Sequence, residues 1–393
     1  MTPHTEVHSA NAHGLDLDWE RRDREIGEIS AKYREVKELN DGYAFRYPSG
    51  ESWQTRIRDV RDHYTRHFPY FTTEIAVEPG DGSVWLRITG PDGAKELLER
   101  GLDYAAGKVK KDGTENLSAW EKLIKVGGRR ATWWCRSLPD FLVIGAAKAG
   151  TTSLFSYLSE HPNVAPVFRK EIYFFDMHWG RGARWYRSQF PTVFAKHWAR
   201  RNGRPLLAGE ATPCYMFHPH VPKRVLELVP KAKLIVLLRN PVDRAYSYYC
   251  MNARRGLERL SFEEAIDREE ERLQGELARM EEDESYFSLK RHHCSYLARG
   301  LYADQLRHWM RWFPRQQFLI MTNKELRDDR QGTLARAQEF LGLPVRDLPD
   351  TGRRNYIPYP ELASETRKRL VEHFAPHNQQ LYDLLGRRYD WDR

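Results

Sequence analysis

The 393-residue chain lacks several features that would define its class at once. No run of about 18 consecutive apolar residues occurs, so the sequence predicts no membrane-spanning helix. The polar N-terminus lacks the basic-then-apolar order of a signal peptide. The few cysteines are widely separated and form no C-x-x-C pair; they are Cys135, Cys214, Cys250 and Cys294. This argues against a zinc site or a disulfide scaffold, favours free and mostly buried thiols, and predicts a cytoplasmic protein.

An excess of acidic residues is also missing, and the positive charge is unevenly distributed. Residues 1–138 carry 22 Lys/Arg and 23 Asp/Glu, giving −1, whereas residues 139–393 carry 41 and 32, giving +9. A positive field over the second part is expected of a protein that binds an anionic ligand. The sequence has no dense Lys/Arg run and no helix-turn-helix or zinc-finger spacing, which argues against nucleic acid. A phosphorylated small molecule fits better.

Apolar strands alternate with helical segments after residue 139, a pattern typical of a parallel sheet covered by helices on both faces. The predicted strands are "FLVIGA", "LLAGEATP", "KLIVLLRNP" and "QFLIMTN". Between the last two we predict a long acidic helix around residues 261–284 with a solvated face. The sequence therefore predicts an α/β fold of the P-loop type over residues 139–393.

The first part of the chain predicts a small α+β domain over residues 16–105. Its elements are a charged helix from Trp19 to about Leu39, a short strand, a second helix and a hairpin that turns at Asp81-Gly82. Residues 1–15 are expected to form a disordered tail. The polar, glycine-containing stretch that begins at residue 106 predicts a linker and connecting helix up to residue 138.

The loop after "FLVIGA" nearly spells the nucleotide-binding P-loop, G-x-x-x-x-G-K-[ST]. Gly145 and Gly150 have the right spacing, but Thr151 stands where the lysine should be and Lys148 lies three places upstream. A strand, a glycine turn and a helix N-terminus present backbone N–H groups to an anion. Further donors are the Lys148 ammonium and the hydroxyls of Thr151, Thr152 and Ser153. The alternative is an ordinary strand-to-helix turn with N-cap hydroxyls.

The end of the strand "KLIVLLRNP" argues against a nucleotide triphosphatase. Such enzymes hold Mg²⁺ with an aspartate at the end of a second strand. This chain has Arg239-Asn240-Pro241 at that point. A cation cannot ligate Mg²⁺, but Arg239 together with Ser247 could bind a second phosphate. Two phosphate sites without a metal predict a nucleotide that is phosphorylated at two separate positions.

The motifs "KAGTTS" and "LLRNPVDRAYSYY", in this order, resemble the two signatures of sulfotransferases that use 3′-phosphoadenosine-5′-phosphosulfate (PAPS). The similarity covers roughly residues 139–393. It implies metal-independent sulfuryl transfer from PAPS to an acceptor, with adenosine 3′,5′-bisphosphate as the product. It also implies that Arg239 and Ser247 hold the 3′-phosphate. The 5′-phosphosulfate would be held by Lys148, Ala149, Gly150, Thr151, Thr152 and Ser153.

The segment "RKEIYFFD" resembles the heparan-type carbohydrate sulfotransferases and their bacterial relatives. In that branch the glutamate before the aromatic pair accepts the acceptor proton, which implies that Glu171 is the general base. Lys148 would stabilise the charge on the leaving phosphate. The alternative interpretation of Glu171 is a surface ion pair with Lys170. His161 and His178 are weaker candidates for the base.

Further contacts follow from the same resemblance. The acceptor site would include Glu210, Thr212 and Lys170. Arg353 and Arg354 resemble the late basic loop that closes over the nucleotide, although a solvated pair is the alternative. The acceptor would be a hydroxyl or amine on a carbohydrate, a glycolipid or a small metabolite. The rival functions are a P-loop kinase or NTPase and a non-catalytic nucleotide-binding adaptor, and neither the oligomeric state nor the role of the N-terminal domain is predicted.

Overall fold

A computed structural model describes residues 32–67, 72–90, 129, 132–166, 171–350 and 359–391. The chain divides into two compact units. One consists of Met1–Lys111 with Tyr286–Lys290, and the other of Asp112–Ser285 with Arg291–Arg393. The predicted tail (1–15) lies outside the described residues, and so does the predicted linker up to residue 128. The predicted domain boundaries stay a prediction.

The described part of the first unit is an antiparallel sheet with strand order β1-β2-β4-β3 and one helix, α1. The predicted turn at Asp81-Gly82 is confirmed, since the Gly82 N–H donates to the Glu78 carbonyl at 3.2 Å. The elements are β1 Glu35–Leu39, β2 Gly42–Tyr47, α1 Glu51–His67, β3 Thr72–Val77 and β4 Val84–Thr89.

The helix predicted from Trp19 to about Leu39 is wrong at its C-terminal end. Residues Glu35–Leu39 form β1, which pairs with β2 in register from Glu35 opposite Arg46 to Leu39 opposite Gly42. Sheet pairing outweighs the helical charge pattern here, because the chain reverses at once and its partner strand is almost wholly buried. The part of that predicted helix up to residue 31 lies outside the described residues.

The second unit contains a parallel sheet with strand order β6-β5-β7-β8. Strands β5 and β7 are buried along nearly their whole length, so helices must cover both faces. This confirms the predicted α/β class and all four predicted strands. The strands are β5 Phe141–Gly145, β6 Gly209–Ala211, β7 Lys233–Leu238 and β8 Phe318–Thr322.

Helices connect and flank these strands. Their apolar sides pack on the sheet in one large core that includes Phe141, Leu234, Trp309 and Leu334. The helices after residue 150 are α2 Thr151–Ser159, α3 Gly182–Arg187, α4 Val193–Arg201, α5 Val221–Leu228, α6 Pro241–Arg254, α7 Phe262–Asp267, α8 Glu269–Leu273, α9 Glu276–Glu282, α10 Leu289–His293, α11 Tyr302–Met310, α12 Asn323–Asp328, α13 Arg330–Leu341 and α14 Ser364–Leu385.

The long acidic helix predicted around residues 261–284 is instead the three short helices α7, α8 and α9. Gly275 interrupts them with a φ of 73°. Most of this stretch is exposed, as the predicted solvated face requires, but Glu269 is buried. Its carboxylate accepts hydrogen bonds of 2.7 to 2.8 Å from three backbone N–H groups, those of Tyr296, Leu297 and Ala298. A charged side chain that satisfies backbone donors cannot be distinguished by its sequence pattern from one that faces water.

Candidate active site

The carboxyl ends of the parallel strands meet at one edge of the sheet. The chain leaves β5 to form β6 on one side and later forms β7 on the other side. The loops after β5 and β7 therefore diverge, and in open α/β sheets the crevice between such loops is where ligands bind. The predicted loop at 146–150 follows β5, Thr212 follows β6 and Arg239 follows β7, so the fold places predicted residues at this edge.

The backbone of the loop after β5 has conformations that few residue types adopt. Lys148 and Gly150 have positive φ values of 72° and 93°, and Gly150 is the N-cap of α2. A Cβ atom at Gly150 would lie 2.6 Å from Asn323 Nδ2. That amide also donates a 2.8 Å hydrogen bond to the Ala149 carbonyl. Asn323, which sequence reasoning missed, thus fixes the loop from the end of β8, while the first turn of α2 carries Thr151, Thr152 and Ser153.

Positive charge is concentrated on this loop. The Arg239 guanidinium donates a 3.1 Å hydrogen bond from Nη1 to the Lys148 carbonyl, which joins the loops after β5 and β7. Burial first, and then the charges of Arg255, Arg239 and Arg254, together lower the pKa of the Lys148 ammonium to about 8. Cations crowded together around a helix N-terminus favour the binding of an anion.

Arg254 and Arg255 were not predicted from the sequence. Arg254 lies in the last turn of α6, seven residues after Ser247, and Arg255 is the C-cap of that helix. Residues seven apart share one face of a helix, so the spacing from Ser247 could have revealed the first of them. Ser247 itself is buried in α6.

Arg239 also contacts the C-terminal part of the chain. Its Nη2 atom donates to the Tyr359 hydroxyl at 2.9 Å, and its own carbonyl accepts from the Tyr302 hydroxyl at 2.8 Å. Arg353 and Arg354 lie outside the described residues, which resume at residue 359. Arg239 therefore bridges the phosphate loop to the segment that follows the predicted basic loop.

Glu171 lies half-buried on the other side of the site. The Tyr173 hydroxyl donates a 2.7 Å hydrogen bond to Glu171 Oε2, and the Tyr173 N–H lies 3.4 Å from Thr212 Oγ1 at the end of β6. Tyr173 was not predicted to act in the site, although it belongs to the same "KEIYFFD" motif. Lys170, the alternative partner of Glu171, lies outside the described residues.

The site contains unusual backbone. Among the described residues, the non-glycine positions with positive φ are Lys148, Glu171 and Tyr173, at 72°, 56° and 53°. Such conformations cost about 1–3 kcal/mol each and persist only where the surrounding structure enforces them. All of them fall in the two segments that the sequence singled out for phosphate binding and proton transfer. This coincidence favours a functional site.

Glu210 and Thr212 are both fully buried at the end of β6. Burial raises the pKa of Glu210 to about 8; the Tyr215, Tyr186 and Thr212 hydroxyls lie near enough to oppose this shift, although neither carboxylate oxygen makes a hydrogen bond of ordinary geometry within the described structure. Burial also raises the pKa of Asp176 to about 7. The contact of Glu210 or Thr212 with the acceptor stays a prediction.

His161 is a structural residue. It is buried, its Nδ1 accepts a 3.0 Å hydrogen bond from the Asn163 N–H, and its Nε2 lies 3.0 Å from the Pro344 carbonyl. The Nδ1 contact requires a lone pair, so Nε2 must carry the proton and donate it to the carbonyl. Both ring nitrogens are occupied in the neutral form. His161 therefore cannot serve as the base.

Two other kinds of feature are absent from the described ranges. No group of three or more His, Cys, Asp or Glu side chains is arranged there to hold a metal ion. No helix within those ranges combines the length and the apolar character needed to cross a bilayer. The four cysteines are free thiols and Cys135, Cys214 and Cys294 are buried, which confirms the prediction of free, mostly buried thiols.

Comparison with known proteins supports the predicted family. A family model described as "sulfotransferase domain" matches residues 138–375. The crystal structure of a sulfotransferase from Alicyclobacillus acidocaldarius is similar at 31% identity with a TM-score of 0.50, and the match covers 65% of this chain and all of that chain.

Curated relatives lead to the same family. A membrane-associated sulfotransferase, kil1, of Dictyostelium discoideum is 27% identical over 320 residues, which are 65% of this chain and 66% of that protein. Heparan sulfate glucosamine 3-O-sulfotransferase 6 of Homo sapiens is 29% identical over 285 residues, 65% of this chain and 74% of that protein. The matched region thus spans about two thirds to three quarters of the length of these relatives.

The predicted cytoplasmic location is wrong. The relatives that overturn it are a protein described as membrane-associated and enzymes of heparan sulfate. The prediction depended on scattered cysteines and on the polar start of the sequence. Neither feature is diagnostic, because a protein can keep its thiols free and buried in any compartment.

The family match includes the residues at the crevice. The two motifs that bracket it, at the ends of β5 and β7, fall inside the matched residues, as does Glu171. The kinase and adaptor alternatives gain no support from any of these relatives. The chain belongs to the sulfotransferase domain family, whose members take the sulfuryl group from PAPS.

Proposed function

We propose that the protein transfers the sulfuryl group of PAPS to a carbohydrate hydroxyl, with Glu171 as the general base. One observation carries the proposal. The cationic loop at Lys148 and the Glu171–Tyr173 segment occupy the same carboxyl edge of the sheet, the first after β5 and the second held against β6 through Thr212. Donor and acceptor would thus approach from opposite sides of one crevice.

The donor side suits a nucleotide with two separate phosphate groups. Lys148, the N–H groups at the start of α2 and the nearby hydroxyls would bind the 5′-phosphosulfate. Arg239 and Ser247 would bind the 3′-phosphate, and Arg254 would add charge on the Ser247 face of α6. A side chain at Gly150 would collide with Asn323, so the strained loop exposes bare backbone at this point. Bare backbone can approach a phosphosulfate group closely.

The acceptor side suits removal of a proton. The acceptor hydroxyl gives its proton to the Glu171 carboxylate while its oxygen bonds to sulfur and the bond from sulfur to the 5′-phosphate oxygen breaks. A positioned base typically contributes 10²–10⁴-fold in rate. Tyr173 holds the Glu171 carboxylate in position by donating a hydrogen bond to its Oε2 atom. Lys148 stabilises the charge that returns to the phosphate, by electrostatic preorganisation.

A carbohydrate acceptor is favoured over a small metabolite by the relatives, several of which carry names of heparan sulfate enzymes. Independence from metal ions is favoured by the arginine that ends β7, where a Mg²⁺-dependent NTPase has an aspartate. A transferring sulfuryl group also carries less negative charge than a phosphoryl group, so cationic side chains can replace the metal.

The test is a screen of acceptors with PAPS labelled in its sulfur. The panel holds heparan-type polysaccharides, a glycolipid and small hydroxyl compounds, and each assay is run with and without excess EDTA. We expect label on a carbohydrate at a rate that EDTA leaves unchanged. Label on a small compound alone would overturn the acceptor class, and a loss of activity that Mg²⁺ restores would overturn metal independence.

A further inference from the structure

Helix α4, Val193–Arg201, buries none of its residues. Helices in globular proteins normally bury an apolar stripe, since most of their stability comes from that packing. Here the large apolar side chains face outward, with Trp198 exposed by 73%, Phe194 by 64% and Val193 by 45%. A helix with this pattern has its apolar side available for something outside the domain.

The orientation of the helix is fixed by contacts at its N-terminus and near its middle. The Thr192 side chain caps the helix by accepting a 3.1 Å hydrogen bond from the Ala195 N–H. The Lys196 ammonium binds both carboxylate oxygens of Asp140, at 2.7 and 2.6 Å. Phe194 and Trp198 are four residues apart and share the outward side. The exposed aromatic rings are therefore held in place.

A neighbouring segment extends the exposed surface. Arg136 and Thr192 form an antiparallel bridge, and the Ser137 N–H donates to the Pro191 carbonyl at 2.9 Å. Trp134 lies two residues from this bridge on one segment, as Phe194 does on the other, and its side chain is exposed by 65%. We call Trp134, Val193, Phe194 and Trp198 the outer aromatic patch.

The patch lies in a strongly basic part of the chain. Residues 177–209 contain no Asp or Glu, and their basic residues are Arg181, Arg184, Arg187, Lys196, Arg200, Arg201 and Arg204. Of these, Arg200, Arg201 and Arg204 are exposed in and after the last turn of α4. Aromatic side chains beside exposed arginines are complementary to a surface that is apolar underneath and negatively charged on top.

The position of the patch separates it from the active site. Asp140, which anchors α4, immediately precedes β5, so α4 lies at the amino edge of the parallel sheet. The candidate active site lies at the carboxyl edge. The five residues of β5 alone span about 16 Å between the two edges. The patch is therefore not a continuation of the acceptor site.

We propose that the outer aromatic patch and the arginines of α4 dock the protein on the surface of a membrane that contains anionic lipids. The Trp and Phe rings enter the interface between headgroups and acyl chains, where such rings are favoured, and the arginines bind the headgroups. Docking at the amino edge leaves the carboxyl edge open to its substrates. The contact is peripheral and needs no spanning helix.

The test is sedimentation of the full chain with vesicles of phosphatidylcholine, with or without phosphatidylserine. We expect binding to the anionic vesicles that weakens as salt is added. Phe194→Ser with Trp198→Ser should weaken this binding about tenfold or more, since affinity scales with the buried apolar area. Arg200→Glu with Arg201→Glu should abolish the preference for phosphatidylserine. The matched control is Leu277→Ser, an exposed apolar residue in an acidic helix, which should bind as the parent does.

Several results would overturn the proposal. The parent chain could fail to bind either vesicle, or the double aromatic variant could bind as the parent does. The double variant could instead convert a dimer to a monomer in sedimentation velocity without vesicles, which would assign the patch to a second copy of the chain. It could also lose retention on a sulfated polysaccharide column while keeping vesicle binding, which would assign the patch to a glycan. Unchanged binding of adenosine 3′,5′-bisphosphate shows that each variant is folded.

Discussion

The two sides of the crevice use opposite chemistry. The donor side gathers cations around a strained loop, whereas the acceptor side gathers carboxyl groups among aromatic rings. Burial disfavours charge on both sides, since it lowers the pKa of Lys148 to about 8 and raises that of Glu210 to about 8. The donor is an anion that would restore the charge of Lys148. The acceptor hydroxyl is neutral, so that side needs a base, for which we propose the half-buried Glu171.

Glu171→Gln should remove the function of the acceptor side, proton transfer, and leave nucleotide binding on the donor side intact. The substitution keeps the size of the side chain and its hydrogen bond with Tyr173 but removes the carboxylate that accepts a proton. We expect turnover to fall by about 10²-fold or more. Binding of adenosine 3′,5′-bisphosphate, measured by calorimetry, should not change. Turnover near the parent rate would mean that another residue is the base.

Arg239→Ala should break the donor side. A charge-assisted contact with the 3′-phosphate is worth about 1.5–3 kcal/mol, or roughly ten- to 150-fold in affinity. The Kd of adenosine 3′,5′-bisphosphate should therefore rise much more than that of adenosine 5′-phosphosulfate, which lacks the 3′-phosphate. Tyr359→Phe is the matched control, because it removes one partner of Arg239 without removing the cation. Equal weakening of both ligands by Arg239→Ala would show that the arginine acts by holding the Lys148 loop.

The donor side could be predicted from the sequence because it is built from a backbone loop and strand ends that follow a fixed spacing. Gly145 ends a strand, Gly150 and the hydroxyls after it follow at a fixed spacing, and Arg239 comes directly after a second strand. Parallel strands bring such ends together in any sequence that forms the sheet. Arg254 required one further step, the helical spacing from Ser247. Asn323 could not be predicted, since its contact with Ala149 depends on how β8 sits beside β7.

The acceptor side was harder to predict because burial decides its roles. Glu171 and Glu210 are both glutamates near strand ends, yet one is half-buried and the other is fully buried. No local pattern separates them. The Tyr173 hydroxyl donates a hydrogen bond to Glu171, two residues away. Its backbone has a positive φ that the sequence does not predict. The burial of Glu269 in the acidic stretch at 261–284 could not be predicted for the same reason, since it is a tertiary property.

The pH dependence of nucleotide binding tests the role proposed for the charge of Lys148 on the donor side. Only protonated Lys148 attracts the phosphosulfate, and a bound anion raises its pKa above the free value of about 8. Affinity for adenosine 3′,5′-bisphosphate should be level below pH 8 and fall above it, by roughly tenfold between pH 7 and 9. Lys148→Arg stays charged over this range and should flatten the profile. A profile that falls equally in both proteins would place the titrating group elsewhere.

Tyr173→Phe tests whether the acceptor side depends on positioning as well as on the base. Removing the hydroxyl deletes the 2.7 Å hydrogen bond to Glu171 Oε2 and leaves the ring in place. Because one hydrogen bond contributes about 0.5–1.5 kcal/mol, kcat should fall roughly two- to tenfold. The KM for the acceptor and the Kd for the nucleotide should stay the same, since Tyr173 would touch neither. Tyr173→His restores a donor, and histidine tolerates the φ of 53° found here better than most residues. We expect it to recover part of the lost kcat. If both variants lose the same activity and melt at a lower temperature, Tyr173 serves the fold alone, and the carboxylate of Glu171 is held by the backbone around it.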